Sequence, residues 1–331
     1  MIKKILIMDR FSQESFLFLK QQPGFEVVRA ESPEKIPLEH LMTAHALLIR
    51  SKTRIDENLL KNSPKLQLII TTTSGFDHID LSATQKWGIT VMHTPTANIE
   101  SATQLTWGLA LGCSSLIHAG HRGIKAGEWN RESLVGLELA GRTYGVIGLG
   151  RIGSRVAEIA HVFNMKVVAY DPYQEDEVFD RLQVDRLSYE EVLKTADIVS
   201  FHVPKTLETD KMLTRSHFEY IHRGIILINT SRGSVIDEND LCEAIESGYL
   251  RAVGLDVFEK EPLPRTSKLL NYPQVLLTPH IGANTDEAFY KASNTAAEKL
   301  IRFFIEGSTS DTLPPRVPWY GATPFGAGPK S

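Results

Sequence analysis

A glycine hexad near the middle of the chain, Gly148-Leu149-Gly150-Arg151-Ile152-Gly153, restricts what these 331 residues can fold into more than any other feature. It follows directly on the apolar stretch Tyr144-Gly145-Val146-Ile147, so the pattern predicts a strand, a glycine turn and a helix. In that context G-x-G-x-x-G cradles the pyrophosphate of a dinucleotide. The first glycine permits the turn, the second lets backbone approach the ligand, the third lets helix pack on strand, and the helix N-terminus presents N–H donors. Alone, the hexad is also compatible with a tight strand-to-helix turn that binds nothing. Asp171 argues for the ligand, because it ends the apolar run Met165–Tyr170 where a carboxylate for the ribose hydroxyls is expected. Pro172 and Tyr173 follow it with no arginine near. A 2′-phosphate would meet a negative charge there and no cation, so the expected cofactor is NAD and not NADP.

The position of the hexad matters as much as its composition. Some 145 residues upstream must fold as something else, and the length suits about two domains. From residue 3 to 95 short apolar runs (4–8, 26–29, 46–49, 66–71, 90–93) alternate with amphipathic segments (12–22, 34–44, 56–62, 80–87). This is the rhythm of a parallel sheet covered by helices. One long, charge-poor helix is expected from Asn98 to about His118, and six strands from there on, at 143–148, 166–170, 198–203, 224–229, 252–256 and 275–278. An amphipathic helix over 286–306 is expected to fold back onto the first domain. The predicted fold class is therefore α/β with two doubly wound domains. A discontinuous flavodoxin-like substrate domain comprises 1–97 and 285–331, and a Rossmann dinucleotide-binding domain 98–284. The proline- and glycine-rich segment 311–331 can be neither helix nor central strand, and is expected to be mobile or draped over a neighbour.

With 42% apolar and 23% charged residues the chain has material for sizeable cores. A net charge of −4 without Lys/Arg clusters argues against nucleic-acid or anionic-membrane partners and for small-molecule chemistry. Residues 102–121 hold no Asp, Glu, Lys or Arg but many polar side chains, which suits a buried or interface helix and not a membrane span. A homodimer through the 98–121 region is expected from it. Cys113 and Cys242 match no metal or redox spacing, so no metal is expected and the chain is read as cytoplasmic.

Three polar residues fall just beyond the carboxyl ends of predicted strands: Arg232 in Asn229-Thr230-Ser231-Arg232-Gly233, Glu261 after the strand ending at Asp256, and His280 in Thr278-Pro279-His280. That edge of an open parallel sheet is where ligands bind. Singly, each is compatible with a loop or surface role. Together they suit the reduction of a 2-keto acid by a dihydronicotinamide, or its reverse. Arginine offers a planar fork to a carboxylate, histidine can give and take the proton, and a glutamate beside it favours and orients the imidazolium.

These residues, with Gly141-Arg142-Thr143 ahead of the hexad, Phe201-His202-Val203-Pro204, Gly254–Pro262 and Thr278–Ala283, resemble the NAD-dependent D-2-hydroxyacid dehydrogenases over nearly the whole chain. The resemblance implies Arg232 as the substrate-binding arginine, His280 as acid/base and Glu261 as its partner. It implies cofactor contacts at Gly148, Gly150, Arg151, Ile152, Gly153, Asp171, Val203, Thr230, Ser231 and Asp256, with Ser74 facing the nicotinamide end. Arg50-Ser51-Lys52-Thr53, Gly127–Arg131 and Gly136–Leu139 are similar to members acting on a phosphorylated acid. This implies 3-phosphoglycerate as substrate, held by Arg50, Ser51, Ser74, Gly75 and Arg131, the last from a second subunit. Thr71–Gly75 lacks the arginine such members carry, Gln104 stands where glutamate is frequent, and the additional C-terminal regulatory domain is expected to be missing. Hydroxypyruvate or glyoxylate reduction stays open, as does an NADH-sensing corepressor-like binding protein.

Overall fold

The computed structural model describes residues 2–30, 36–315 and 319. They form two compact units, one from Met1–Asn98 and Ala283–Ser331, the other from Ile99–Gly282.

The first unit is built on five parallel strands, β1 (Lys3–Ile7), β2 (Phe25–Arg29), β3 (Ala46–Ile49), β4 (Leu68–Thr71) and β5 (Thr90–His93), in the order β2-β1-β3-β4-β5. The middle strands read Ala-Leu-Leu-Ile and Leu-Ile-Ile-Thr and are buried at every position, the continuous apolar pattern of a sheet covered on both faces. Helices α1 (Gln13–Lys20), α2 (Leu38–Thr43), α3 (Glu57–Lys61) and α4 (Leu81–Lys86) connect them. Three of these start on side-chain caps, Ser12, Asp56 and Asp80, whose oxygens accept the N–H groups of Ser15, Leu59 and Ala83. The last helix of the chain, α11 (Asp286–Glu306), capped by Thr285, places Ala296, Ala297 and Leu300 in one core with Ile5, Ile7, Leu68 and Ile70. Of the segment 311–331, residues 311–315 and 319 are described and the rest lies outside the described residues. Its start runs along β5: the His93 and Leu313 N–H groups bond Asp311 and Val91 carbonyls at 3.1 and 2.8 Å, and the buried Lys299 ammonium donates to His93 O and Asp311, each at 2.6 Å.

The second unit opens with α5 (Ile99–Ser114) and α6 (Ile117–Lys125), then runs β6 (Thr143–Ile147), α7 (Arg151–Val162), β7 (Lys166–Tyr170), α8 (Asp176–Leu182), β8 (Asp185–Arg186), α9 (Tyr189–Thr195), β9 (Ile198–Phe201), β10 (Ile225–Asn229), α10 (Glu238–Glu246), β11 (Leu250–Leu255) and β12 (Val275–Leu277). Its sheet is parallel, in the order β12-β11-β10-β9-β6-β7-β8. The chain thus starts in the middle, at β6, and winds outward both ways, which leaves a crevice beyond the carboxyl ends of β6 and its neighbours. Seven strands replace the expected six. β8 is two exposed charged residues paired to Val168 and Ala169, so no apolar run announces it.

The single helix expected over 98–118 is two helices. The Ser114 carbonyl is taken at 2.7 Å by the N–H of Leu137, the helix stops there, and Leu116 turns the chain in the left-handed region at φ 54°. α5 also spends its charge-poor surface inside its own unit, where Trp107, Leu109, Ala110 and Cys113 join the core beneath the sheet. The apolar side chains left exposed lie further on, at Ile117, Ile124, Trp129 and Val135. Among the described residues no helix is long and apolar enough to cross a membrane, and no cluster of His, Cys, Asp or Glu could hold a metal.

Candidate active site

In the second unit the hexad forms the turn between β6 and α7. Gly148 sits at φ +92°, and a Cβ there would lie 2.9 Å from the His202 backbone. A Cβ on Gly153 would lie 2.0 Å from the Gly148 carbonyl oxygen, so the third glycine is what lets α7 close on the turn. Gly150 differs: it precedes α7, and a Cβ there would meet nothing within 4 Å. No internal contact demands glycine at that position, whereas a ligand laid against the backbone at the helix start does. Asp171, buried at the end of β7, accepts the Leu149 N–H at 2.8 Å and the Tyr173 N–H at 3.0 Å. Its carboxylate therefore ties the turn to β7 and keeps lone pairs free for hydroxyl groups. Arg151 and Ile152 open α7, and Val203 is buried beside Gly148. The residues present fit a dinucleotide along this turn.

Beyond β10, buried Asn229 arranges the next three residues. Its Oδ1 accepts the Ser231 N–H and Oγ–H at 3.0 and 2.8 Å, and its Nδ2 donates to the Arg232 carbonyl at 2.9 Å. Thr230 Oγ1 shares a 2.8 Å hydrogen bond with Thr106 of α5. Gly233 is obligatory, because a Cβ there would fall 1.9 Å from the Phe258 carbonyl carbon. The absence of that side chain lets the Arg232 loop lie directly on the 258–261 segment.

Asp256, at the end of β11, does the same for the histidine loop. It is buried, and accepts Thr278 Oγ1 at 2.6 Å and the N–H groups of Ile281 and Gly282, each at 2.8 Å. These three hydrogen bonds position the 278–282 loop. His280 itself lies at φ 54°, a sparsely populated region for a residue with a Cβ. Its Nδ1 meets Glu261 Oε2 at 2.7 Å, while Glu261 Oε1 accepts the Phe258 N–H at 3.1 Å. The Glu261 hydrogen bond raises the His280 pKa above its ordinary value against the opposing pull of burial and of the Arg232 charge. Burial pushes the Glu261 carboxyl up, but the hydrogen bond and charge of His280, the Phe258 N–H and Arg232 outweigh it and hold it below the usual range. The hydrogen bond thus favours an imidazolium beside a carboxylate and leaves Nε2 to act. Arg232, Glu261 and His280 converge on the carboxyl edge of β10, β11 and β12.

The other residues singled out from the sequence stand elsewhere. Arg131 is on an exposed turn (Arg131–Ser133), with no ion pair or side-chain hydrogen bond among the described residues. In the first unit Arg50 and Ser51 follow β3, and Ser74 and Gly75 follow β4, on one sheet edge. Ser74 Oγ donates to Asn98 Oδ1, its carbonyl bonds His93 Nδ1 at 2.9 Å, and Thr73 Oγ1 donates to the Gly75 carbonyl at 2.7 Å. Asp9 escaped notice in the sequence. Its Oδ2 accepts the Arg50 and Thr53 N–H groups at 2.5 and 3.2 Å and so shapes the Arg50 loop. An acidic residue directly after an apolar strand run was the available signal. Cys113 and Cys242 are both buried free thiols, and burial pushes Cys113 up to about 12.

Residues 107–282 match the family model described as D-isomer specific 2-hydroxyacid dehydrogenase, NAD binding domain. The chain is 35% identical over 300 residues to the D-3-phosphoglycerate dehydrogenase of Bacillus subtilis, covering 91% of this chain and 57% of that protein. It spans 57 to 59% of the length of the first curated relatives it matches. Among solved structures it is similar to the TT0316 protein of Thermus thermophilus, with TM-score 0.84, 33% identity and coverage of 94% of this chain and 99% of that one. It is similar also to a D-lactate dehydrogenase of Aquifex aeolicus complexed with NAD and lactic acid, with TM-score 0.80, 30% identity and coverage of 92% and 96%.

Proposed function

The chain belongs to the D-isomer-specific 2-hydroxyacid dehydrogenase family, and we propose that it exchanges a hydride between NAD and a D-2-hydroxy acid, with 3-phosphoglycerate as that acid. The observation that carries the chemistry is the 2.7 Å contact between His280 Nδ1 and Glu261 Oε2 on the edge that also holds Arg232. NAD, bound along the hexad, supplies the hydride acceptor. Arg232 grips the substrate carboxylate with its fork of donors. His280 Nε2 takes the hydroxyl proton as the C2 hydrogen leaves with its electron pair and the C2–O bond becomes a carbonyl; Glu261 stabilises the imidazolium so formed. In the reverse direction the same imidazolium returns the proton.

Support for the phosphorylated substrate comes from the relatives named D-3-phosphoglycerate dehydrogenase at 33 to 37% identity, and from Arg50 at the edge of the first unit. The reaction would then be an early step of serine biosynthesis. Reduction of an unphosphorylated acid such as hydroxypyruvate or glyoxylate is favoured by the uncharged segment Thr71–Gly75, whose hydroxyls bond one another and Gly75. A spectrophotometric NADH assay across 3-phosphohydroxypyruvate, hydroxypyruvate, glyoxylate and pyruvate separates the two. Highest kcat/KM on the phosphorylated acid is expected, and highest kcat/KM on glyoxylate would overturn the choice. No turnover of any of them points instead to an NADH-binding regulator. We also propose a homodimer, with the contact carried by exposed Ile117, Ile124, Trp129 and Val135.

A further inference from the structure

The sheet of the first unit has its own topological switch point. β1 lies between β2 and β3, so the chain departs in opposite directions from β1 and β3 and leaves a crevice beyond their carboxyl ends. Two arginines stand at that crevice, Arg10 three residues after β1 and Arg50 directly after β3. Both guanidiniums lie over one ring, Phe289 of α11, at 4.4 and 5.5 Å from its centroid. They are therefore no more than about 10 Å apart. Neither makes a salt bridge or side-chain hydrogen bond among the described residues. The carboxylate next to Arg10 in sequence, Asp9, accepts the backbone N–H groups of Arg50 and Thr53 through Oδ2. Burial, and then the charge of Arg10, lower the pKa of Arg50 against the raising charge of Asp9, so the two cations work against each other across the crevice.

Two guanidiniums gathered at one aromatic ring, with their N–H donors unspent, form a site for a doubly charged anion. We propose that Arg10 is a specificity-determining residue: with Arg50 across Phe289 it binds the phosphate monoester of the substrate at the switch point of the first unit. This deepens the assignment of a phosphorylated substrate and rests on it. It supplies a second cation to a chain whose Thr71–Gly75 segment offers none. The phosphate would relieve the repulsion between the two arginines, while Phe289 holds both side chains ready and lowers the cost of ordering them.

The test compares Arg10→Met, Arg10→Lys and the unaltered protein on 3-phosphohydroxypyruvate and hydroxypyruvate, with NADH binding followed by fluorescence to show an intact second unit. The ratio of the two kcat/KM values should fall by about 10- to 100-fold in Arg10→Met, through KM for the phosphorylated acid, as expected for a lost charged hydrogen bond. Arg10→Lys should recover part of it. An unchanged ratio, or an equal fall for both acids, overturns the role of Arg10 and leaves the substrate assignment standing. An unaltered protein that reduces hydroxypyruvate but neither turns over the phosphorylated acid nor gains thermal stability from 3-phosphoglycerate overturns both. If Arg10→Met does not fold, the ratio in Arg10→Lys decides: several-fold lower supports the proposal, unchanged sinks it.

Discussion

Glu261 and His280 illustrate how one hydrogen bond sets the working protonation of a site. Because the bond raises the His280 pKa, the imidazolium persists to higher pH than in a free histidine. Reduction needs that proton and oxidation needs the neutral ring. Reductive kcat/KM should therefore hold to higher pH than an ordinary histidine allows and fall as pH rises through the raised value, while the oxidative rate climbs over the same interval. In Glu261→Gln the raising influence is lost and burial and Arg232 still lower the ring, so both limbs should move to lower pH. A profile that stays in place refutes the coupling. His280→Ala should cut turnover by ~10² to 10⁴-fold with NADH binding intact. At this scale residue types beyond strand ends were legible in the sequence. The hydrogen bonds from Asp256 that aim His280 were not, because they join its carboxylate to backbone groups some 25 residues on that only folding brings near, whereas Asn229 bonds Ser231 and Arg232, its near neighbours in sequence.

Among the elements, the turns carry more of the constraint than the helices do. Gly233 has no special φ and still admits no side chain, since a Cβ would overlap the Phe258 carbonyl. Gly233→Ala must push the Arg232 loop off the 258–261 segment, at roughly 1–3 kcal/mol of stability by analogy with overpacked cores. It should also lower kcat by more than the loss of folded protein explains, measured as turnover per NADH-binding site alongside chemical denaturation. Full activity and unchanged stability would show that the neighbouring backbone yields easily. Long periodic segments were legible beforehand: the helix expected over 286–306 is α11, and eleven of the strands have recognisable apolar runs. β8 and the break after Ser114 escaped because each is made by a partner distant in sequence, Val168 and Ala169 for one and Leu137 for the other. Local propensity contains no trace of such partners.

For the whole molecule, the exposed apolar side chains at 117–135 lead to a definite expectation about assembly. Light scattering after size exclusion should give twice the chain mass, and Ile124→Glu combined with Trp129→Glu should return it to that of one chain with NADH binding retained. A monomeric unaltered protein sinks the dimer. By itself the sequence determined that the chain is α/β, that it carries a dinucleotide turn in its middle and that its polar residues gather after strands, because apolar periodicity and glycine spacing are local properties of covalent order. Only the tertiary structure decided that α5 is spent on its own core, that Asp256 serves the loop of His280, and that Arg10 and Arg50 share one aromatic ring of a helix more than 230 residues further on. Burial, hydrogen-bond pairing and charge proximity are properties of distances in space, and the chain sets those distances only when the sheets have formed.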